Sequence, residues 1–148
     1  MMDLGCYGLH VMRMLGRPSI IRAHAGERTP GVDEWCDVEL GFPGGATGLS
    51  ANTMTASDYS FTLRVVGTKG DLLVHDFIKP NKDDRLTIRT SAGTRVEHHG
   101  TRTSYSYQLE AFAAHVLHGA ALPIDTADAV QNMAFVDAAY RAAGMTPR

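Results

Sequence analysis

Two rhythms of apolar residues run along this 148-residue chain. Near the start, Leu4, Val11 and Leu15 recur at helical spacing, which predicts a helix over residues 3–15. Gly16 reads as its C-cap and Pro18 as the stop beyond it. "SIIRAHA" then predicts a short strand broken by Gly26 and by the turn at Thr29, Pro30 and Gly31. In "EWCDVELGF" the period changes to two: Cys36, Val38, Leu40 and Phe42 point one way, Asp37 and Glu39 the other, as in a half-buried strand. "PGG" is a hairpin turn into the polar strand "ATGLSANTMTAS", whose polarity suits a sheet face left uncovered. "SFTLRVVG" and "GDLLVHD" flank "TKG", and "RLTIRT" and "TRVEHH" flank "SAG". These connections are too short for crossover helices, so the strands pair antiparallel.

Helical spacing returns near the end. In "SYSYQLEAFAAHVLHG", Leu109, Phe112, Ala113 and Val116 share a face and Gly119 ends the element. In "DTADAVQNMAFVDAAYRAAG", Asp125 or Thr126 caps the start, and Val130, Met133, Val136 (or Asp137) and Tyr140 share a side up to Gly144. Helix, a run of strands, then two helices predict an α+β fold: one domain over residues 1–148, an open, mostly antiparallel (mixed) sheet, and helices packed on one face.

Composition narrows the function. Hydrophobic residues make up 44% and charged residues 20%, a globular balance. A net charge of −2 with scattered basic residues argues against nucleic acid as a partner. No apolar run approaches the roughly 18 residues of a membrane span, and no secretory leader pattern opens the chain, so a soluble cytoplasmic protein is expected. Cys6 and Cys36 make no disulfide framework and read as buried reduced thiols.

Three side chains stand out as candidate chemistry. Asp3, Tyr7 and His10 are spaced four and three apart, on one helical stripe. An acid, a phenol and an imidazole at one cleft suit proton transfer to or from an oxygen, although Asp in a first turn is also simply good helix chemistry. No metal is expected. His98 and His99 are adjacent on a strand and point to opposite faces, and His115 and His118 have no acidic or thiolate partner at ligand spacing. The glycines of "GFPGGATG" join strand to strand, and the dinucleotide fingerprint G-x-G-x-x-G is absent from the sequence.

The order of these segments resembles the C-terminal domain of the glucose–fructose oxidoreductase / inositol dehydrogenase / MocA family. Asp3-x-Gly5-x-Tyr7 matches that family's D-x-G-x-[HY] helix motif. "VDEW", "FPGGATGLSAN", "VVGTKGDLLV", "YQLEAF" and "TADAVQNMAFVDAAYRAAG" match in order. The resemblance implies an N-terminal Rossmann domain that binds NAD or NADP, with no cofactor held by this chain alone. It implies that Tyr7 is the general acid/base and that Asp3 positions the substrate hydroxyl; His10 has no fixed family role and is taken as a cleft-lining, substrate-binding residue. Tyr in place of His resembles the branch with glucose–fructose oxidoreductase, dihydrodiol dehydrogenase and xylose dehydrogenase. "FIKP" is not the family's E-K-P motif, because it follows a hairpin strand.

The family writes G-G-x-x-x-D before this helix, and "MMD" starts inside that motif, so a start at an internal Met or one half of a split protein is expected. The implied function is the substrate and oligomerisation part of an oxidoreductase acting on a sugar, polyol or related compound, inactive without its Rossmann partner in cis or in trans. The alternative is a non-catalytic binding or assembly module that kept the fold. A homodimer through the open sheet is expected in either case.

Overall fold

The computed structural model describes residues 1–147 and divides into two compact units. The first comprises residues 1–57 together with the chain from Ile124 onward; the second comprises residues 58–123. All strand pairings are antiparallel, as the α+β expectation requires. The strands nevertheless form two sheets where a single one was expected.

In the first unit, α1 (Gly5–Met14) precedes a three-stranded sheet of β1 (Ser19–Thr29), β2 (Val32–Gly41) and β3 (Thr47–Thr53), in that order. Cross-strand register explains which residues form the core. Ala25, Cys36 and Asn52 make one rung, Ala23, Val38 and Ser50 the next, and Ile20, Leu40 and Gly48 the third. Small residues on the two outer strands let helices approach the central Cys36, Val38 and Leu40, which are fully buried. The last helix, designated α3 (Thr126–Ala142), brings Val136, Ala139 and Tyr140 to the same core, and α1 brings Leu9. Each such aliphatic side chain contributes about 1.5–3 kcal/mol on burial. The alternate rungs, Gly26–Trp35–Thr53, His24–Asp37–Ala51 and Arg22–Glu39–Leu49, form the other face.

Several local expectations change. Helix α1 starts at Gly5, and Asp3 lies in the turn before it; the N-cap Leu4 has no side chain to accept a hydrogen bond. At the other end Leu15 is the C-cap, and Gly16 is needed for space, since a Cβ there would lie 3.2 Å from Phe42 Cδ1. Strand β1 runs through Gly26 because the missing side chain makes room for the indole of Trp35 across the ladder. Two polar residues of β3 lie on the covered face: Ser50 is buried, and Asn52 Nδ2 donates to the Cys36 carbonyl at 3.0 Å. Asp125, not Thr126, caps α3, its carboxylate accepting from the Asp128 amide at 2.9 Å. Of the apolar side predicted for α3, Val136 and Tyr140 are buried, whereas Val130 and Met133 are exposed.

The second unit is a four-stranded meander of β4 (Leu63–Gly67), β5 (Gly70–Val74), β6 (Arg85–Thr90) and β7 (Gly93–His98), followed by α2 (Ser104–His118). Its buried described residues are polar: Asp76 and Thr87. Asp76 accepts from the amides of Ile78 and Lys79 at 3.0 and 2.7 Å, and Thr87 Oγ1 meets His75 Nε2 at 2.9 Å. Tyr59, Phe61 and Phe77 form a small aromatic cluster. Helix α2 has the expected Gly119 stop in the left-handed conformation, at φ 65°. Its predicted apolar face is exposed, with Leu109 at 67%. Among the described residues no helix is long and apolar enough to cross a membrane.

Candidate functional site

The start of α1 is positioned by what glycine leaves out. A Cβ on Gly5 would sit 3.0 Å from Met1 Sδ and 3.2 Å from Asn52 Cγ. One on Gly8 would sit 2.8 Å from Ser50 Oγ and 2.9 Å from Asn52 Oδ1. The two glycines, three residues apart, therefore lay one face of the helix flat against β3. That close approach is the physical reason for the glycine inside Asp3-x-Gly5-x-Tyr7. Asn52, whose amide also donates to the Ser50 carbonyl at 3.0 Å, is held by the strand and gives the helix a fixed seat.

Opposite that seat, Asp3 and Tyr7 are on the exposed side, Tyr7 with 46% of its surface accessible. Tyr7 is the third residue of the helix and its amide bonds back to the Leu4 carbonyl at 3.3 Å. The positive end of the helix dipole favours negative charge that develops here. Cys6 turns sideways, and its thiol donates to the Asp3 carbonyl at 3.0 Å. Burial, aided by the nearby Asp3 charge, pushes the Cys6 thiol above its ordinary range, so it stays a neutral donor.

His10 goes elsewhere. It is half-buried against α3, with Nδ1 3.4 Å from Asp128 Oδ2. Arg13, one turn on, reaches Asp128 Oδ1 at 3.0 Å, Asn132 Oδ1 at 3.1 Å and Gln131 Oε1 at 3.3 Å. Asn132 in turn donates to the Cys6 carbonyl at 3.2 Å. The predicted trio is thus split: Asp3 and Tyr7 face outward at the helix start, while His10 belongs to an α1–α3 network. Sequence reasoning missed that network, because its halves lie more than 100 residues apart. It also missed Asp33, which accepts from the Tyr140 hydroxyl at 2.8 Å and pairs with the Met1 amino group. Tyr140 completes that corner by accepting from the Met2 amide at 3.0 Å.

A pyrophosphate needs open amides at a helix N-terminus after a glycine loop. At α2 the side chain of Thr103 accepts from the Ser106 amide, and at α3 Asp125 accepts from the Asp128 amide.

The GFO/IDH/MocA C-terminal domain model matches residues 1–73, which include α1 and the whole first sheet. A D-xylose 1-dehydrogenase (NADP(+)) from Haloferax volcanii is 30% identical over 146 residues, covering 96% of this chain and 45% of that protein. The fold is shared with an aldose-aldose oxidoreductase from Caulobacter crescentus, solved with glycerol, at a TM-score of 0.80 and 22% identity over 97% of this chain and 44% of that one. It is shared too with a 3-ketoreductase from Actinomadura kijaniata, solved with NADP and TDP-benzene, at a TM-score of 0.83 and 20% identity over 95% and 44% of the two chains. The chain thus spans less than half the length of each of these proteins. With its motif helix seated on β3 as described and its fold shared with these oxidoreductases, the chain belongs to the GFO/IDH/MocA C-terminal domain family.

Proposed function

We propose that this chain supplies the substrate-holding and proton-transfer part of an NAD(P)-dependent oxidoreductase acting on a sugar, polyol or related hydroxy or carbonyl compound. The observation that carries the reading is the exposed Tyr7 phenol at the first turn of α1, on a helix that Gly5 and Gly8 clamp to Asn52. A phenol held there takes the proton of a substrate hydroxyl as it is oxidised and returns it when a carbonyl is reduced. Asp3, exposed just before the helix, accepts a hydrogen bond from the same or the neighbouring hydroxyl and so orients it. His10 borders the substrate region only from its place beside α3. The dinucleotide, which when bound accepts or donates the hydride, is assigned to a Rossmann domain acting in cis or in trans, because the sequence lacks the G-x-G-x-x-G fingerprint and both α2 and α3 start on a side-chain cap. Calorimetric titration of the 148-residue chain with NADH and NADPH is expected to give no micromolar binding. Micromolar binding would remove the need for a second domain.

The same reading includes a homodimer through the uncovered face of the first sheet. That face mixes Trp35, Ile21 and Leu49, all exposed, with the Arg22–Glu39 pair at 2.6 Å. A two-fold contact is the commonest way to bury such a surface. Light scattering after size exclusion at micromolar concentration is expected to give twice the chain mass; a single-chain mass at every concentration would exclude the dimer.

A further inference from the structure

We propose that the groove between the C-terminal half of α1 and α3 binds a small hydroxylated anion, a sugar acid or a sugar phosphate. The groove lies within the first unit, encloses about 750 Å³, and is lined among others by His10, Arg13, Arg17, Asp128, Gln131 and Phe135. That volume suits a small organic molecule.

Its wall is built in advance. Arg13 bridges Asp128, Gln131 and Asn132, which neutralises Asp128 Oδ1 and fixes the helix pair. The remaining carboxylate oxygen, Oδ2, lies 3.4 Å from His10 Nδ1 without forming a hydrogen bond to it. Two buried atoms then have no hydrogen-bond partner among the described residues: His10 Nε2 and Asp128 Oδ2. Buried polar atoms are rarely left so, and a pair of them beside a groove points to a ligand that completes both.

The two atoms specify the chemistry. Asp128 Oδ2 is an acceptor and needs a donor, which a hydroxyl provides. Arg17, at the turn beyond α1, is exposed and pairs with no described acidic residue, so it offers its charge to a carboxylate or phosphate. Inorganic phosphate has a hydroxyl of its own but brings its charge against Asp128, so it meets the set less well. A neutral sugar would leave Arg17 unused. One molecule that carries both hydroxyls and an anion satisfies the whole set, with a further hydroxyl for His10 Nε2. Nothing in this depends on the role given to Tyr7.

The test uses the full chain and the side-chain nitrogen resonances of His10, followed by long-range ¹H–¹⁵N correlation during titration. Gluconate or glucose 6-phosphate is expected to shift His10 Nε2 saturably at millimolar concentration, and whichever binds tighter identifies the head group as carboxylate or phosphate. Inorganic phosphate and glucose are each expected to bind at least roughly tenfold more weakly, and Arg17→Gln to weaken the anion by roughly tenfold, the scale of one charge-assisted contact. Equal binding of inorganic phosphate would reduce the groove to a bare anion site and overturn the proposal. So would an unmoved His10 with all four titrants, or an Arg17→Gln chain that binds as well as the parent.

Discussion

The two units of this chain are built on opposite principles. The first has an apolar centre: Leu9, Val38, Leu40 and Val136 are fully buried between two helices and a sheet. The second has a regular four-stranded ladder and almost none of the core; its buried described residues are Asp76 and Thr87, and no residue of α2 is buried. Its cohesion comes from the ladder of β4 to β7 and from the small aromatic cluster of Tyr59, Phe61 and Phe77. The difference teaches where rigidity is needed. The motif helix that carries Tyr7 rests on the unit with the dense core, which is also where most of the family match falls.

The sharpest way to break this contrast is truncation of a central side chain in each unit. Leu40→Ala removes a fully buried residue and is expected to cost about 2–5 kcal/mol in denaturant unfolding. Leu73→Ala, in half-buried β5, is expected to cost less than about half as much. Equal losses would mean that the second unit carries a core of comparable density.

How much of this could be read from the chain alone varies with the distance over which each signal acts. The alternation of Cys36, Val38 and Leu40 and the glycine stops at Gly119 and Gly144 act within a few residues, and the structure has them as read. Gly26 was misread as a breaker because its reason, the Trp35 indole, lies on the neighbouring strand. Ser50 and Asn52 looked like an uncovered face because their polarity is answered by a strand carbonyl and a glycine-lined helix, which no pattern along the chain displays. The stripe of Leu109, Phe112 and Val116 follows helical spacing faithfully, yet spacing states only that a face is apolar, not that this chain covers it. Of the candidate site, Asp3 and Tyr7 were visible as a motif. The turn of His10 toward Asp128 was not, since it depends on α3 packing beside α1.

A smaller effect separates the units by acid. The Arg85 guanidinium beside Asp83 holds its carboxyl down at about 2, against an ordinary value of 3.8. A depressed carboxylate adds stability that is present above pH 3.8 and lost as the pH falls through about 2. The pair is exposed, so the stabilisation is slight and screened by salt. A carboxyl-carbon titration by NMR is expected to place the Asp83 midpoint near 2, and Arg85→Gln to return it toward 3.8. A midpoint unchanged by that substitution would assign the shift to another cause.

Tyr7 as the proton carrier is tested most directly by a chimera in which this chain replaces the matching half of the Haloferax volcanii relative, with turnover compared between the parent and Tyr7→Phe. The expected result is an active parent whose turnover falls by roughly 10²–10⁴-fold on loss of the phenol oxygen, with thermal unfolding unchanged. A folded parent chimera without activity would favour a binding module that kept the fold. Turnover in Tyr7→Phe within about twofold of the parent, far less than loss of a general acid/base gives, would contradict the assignment outright.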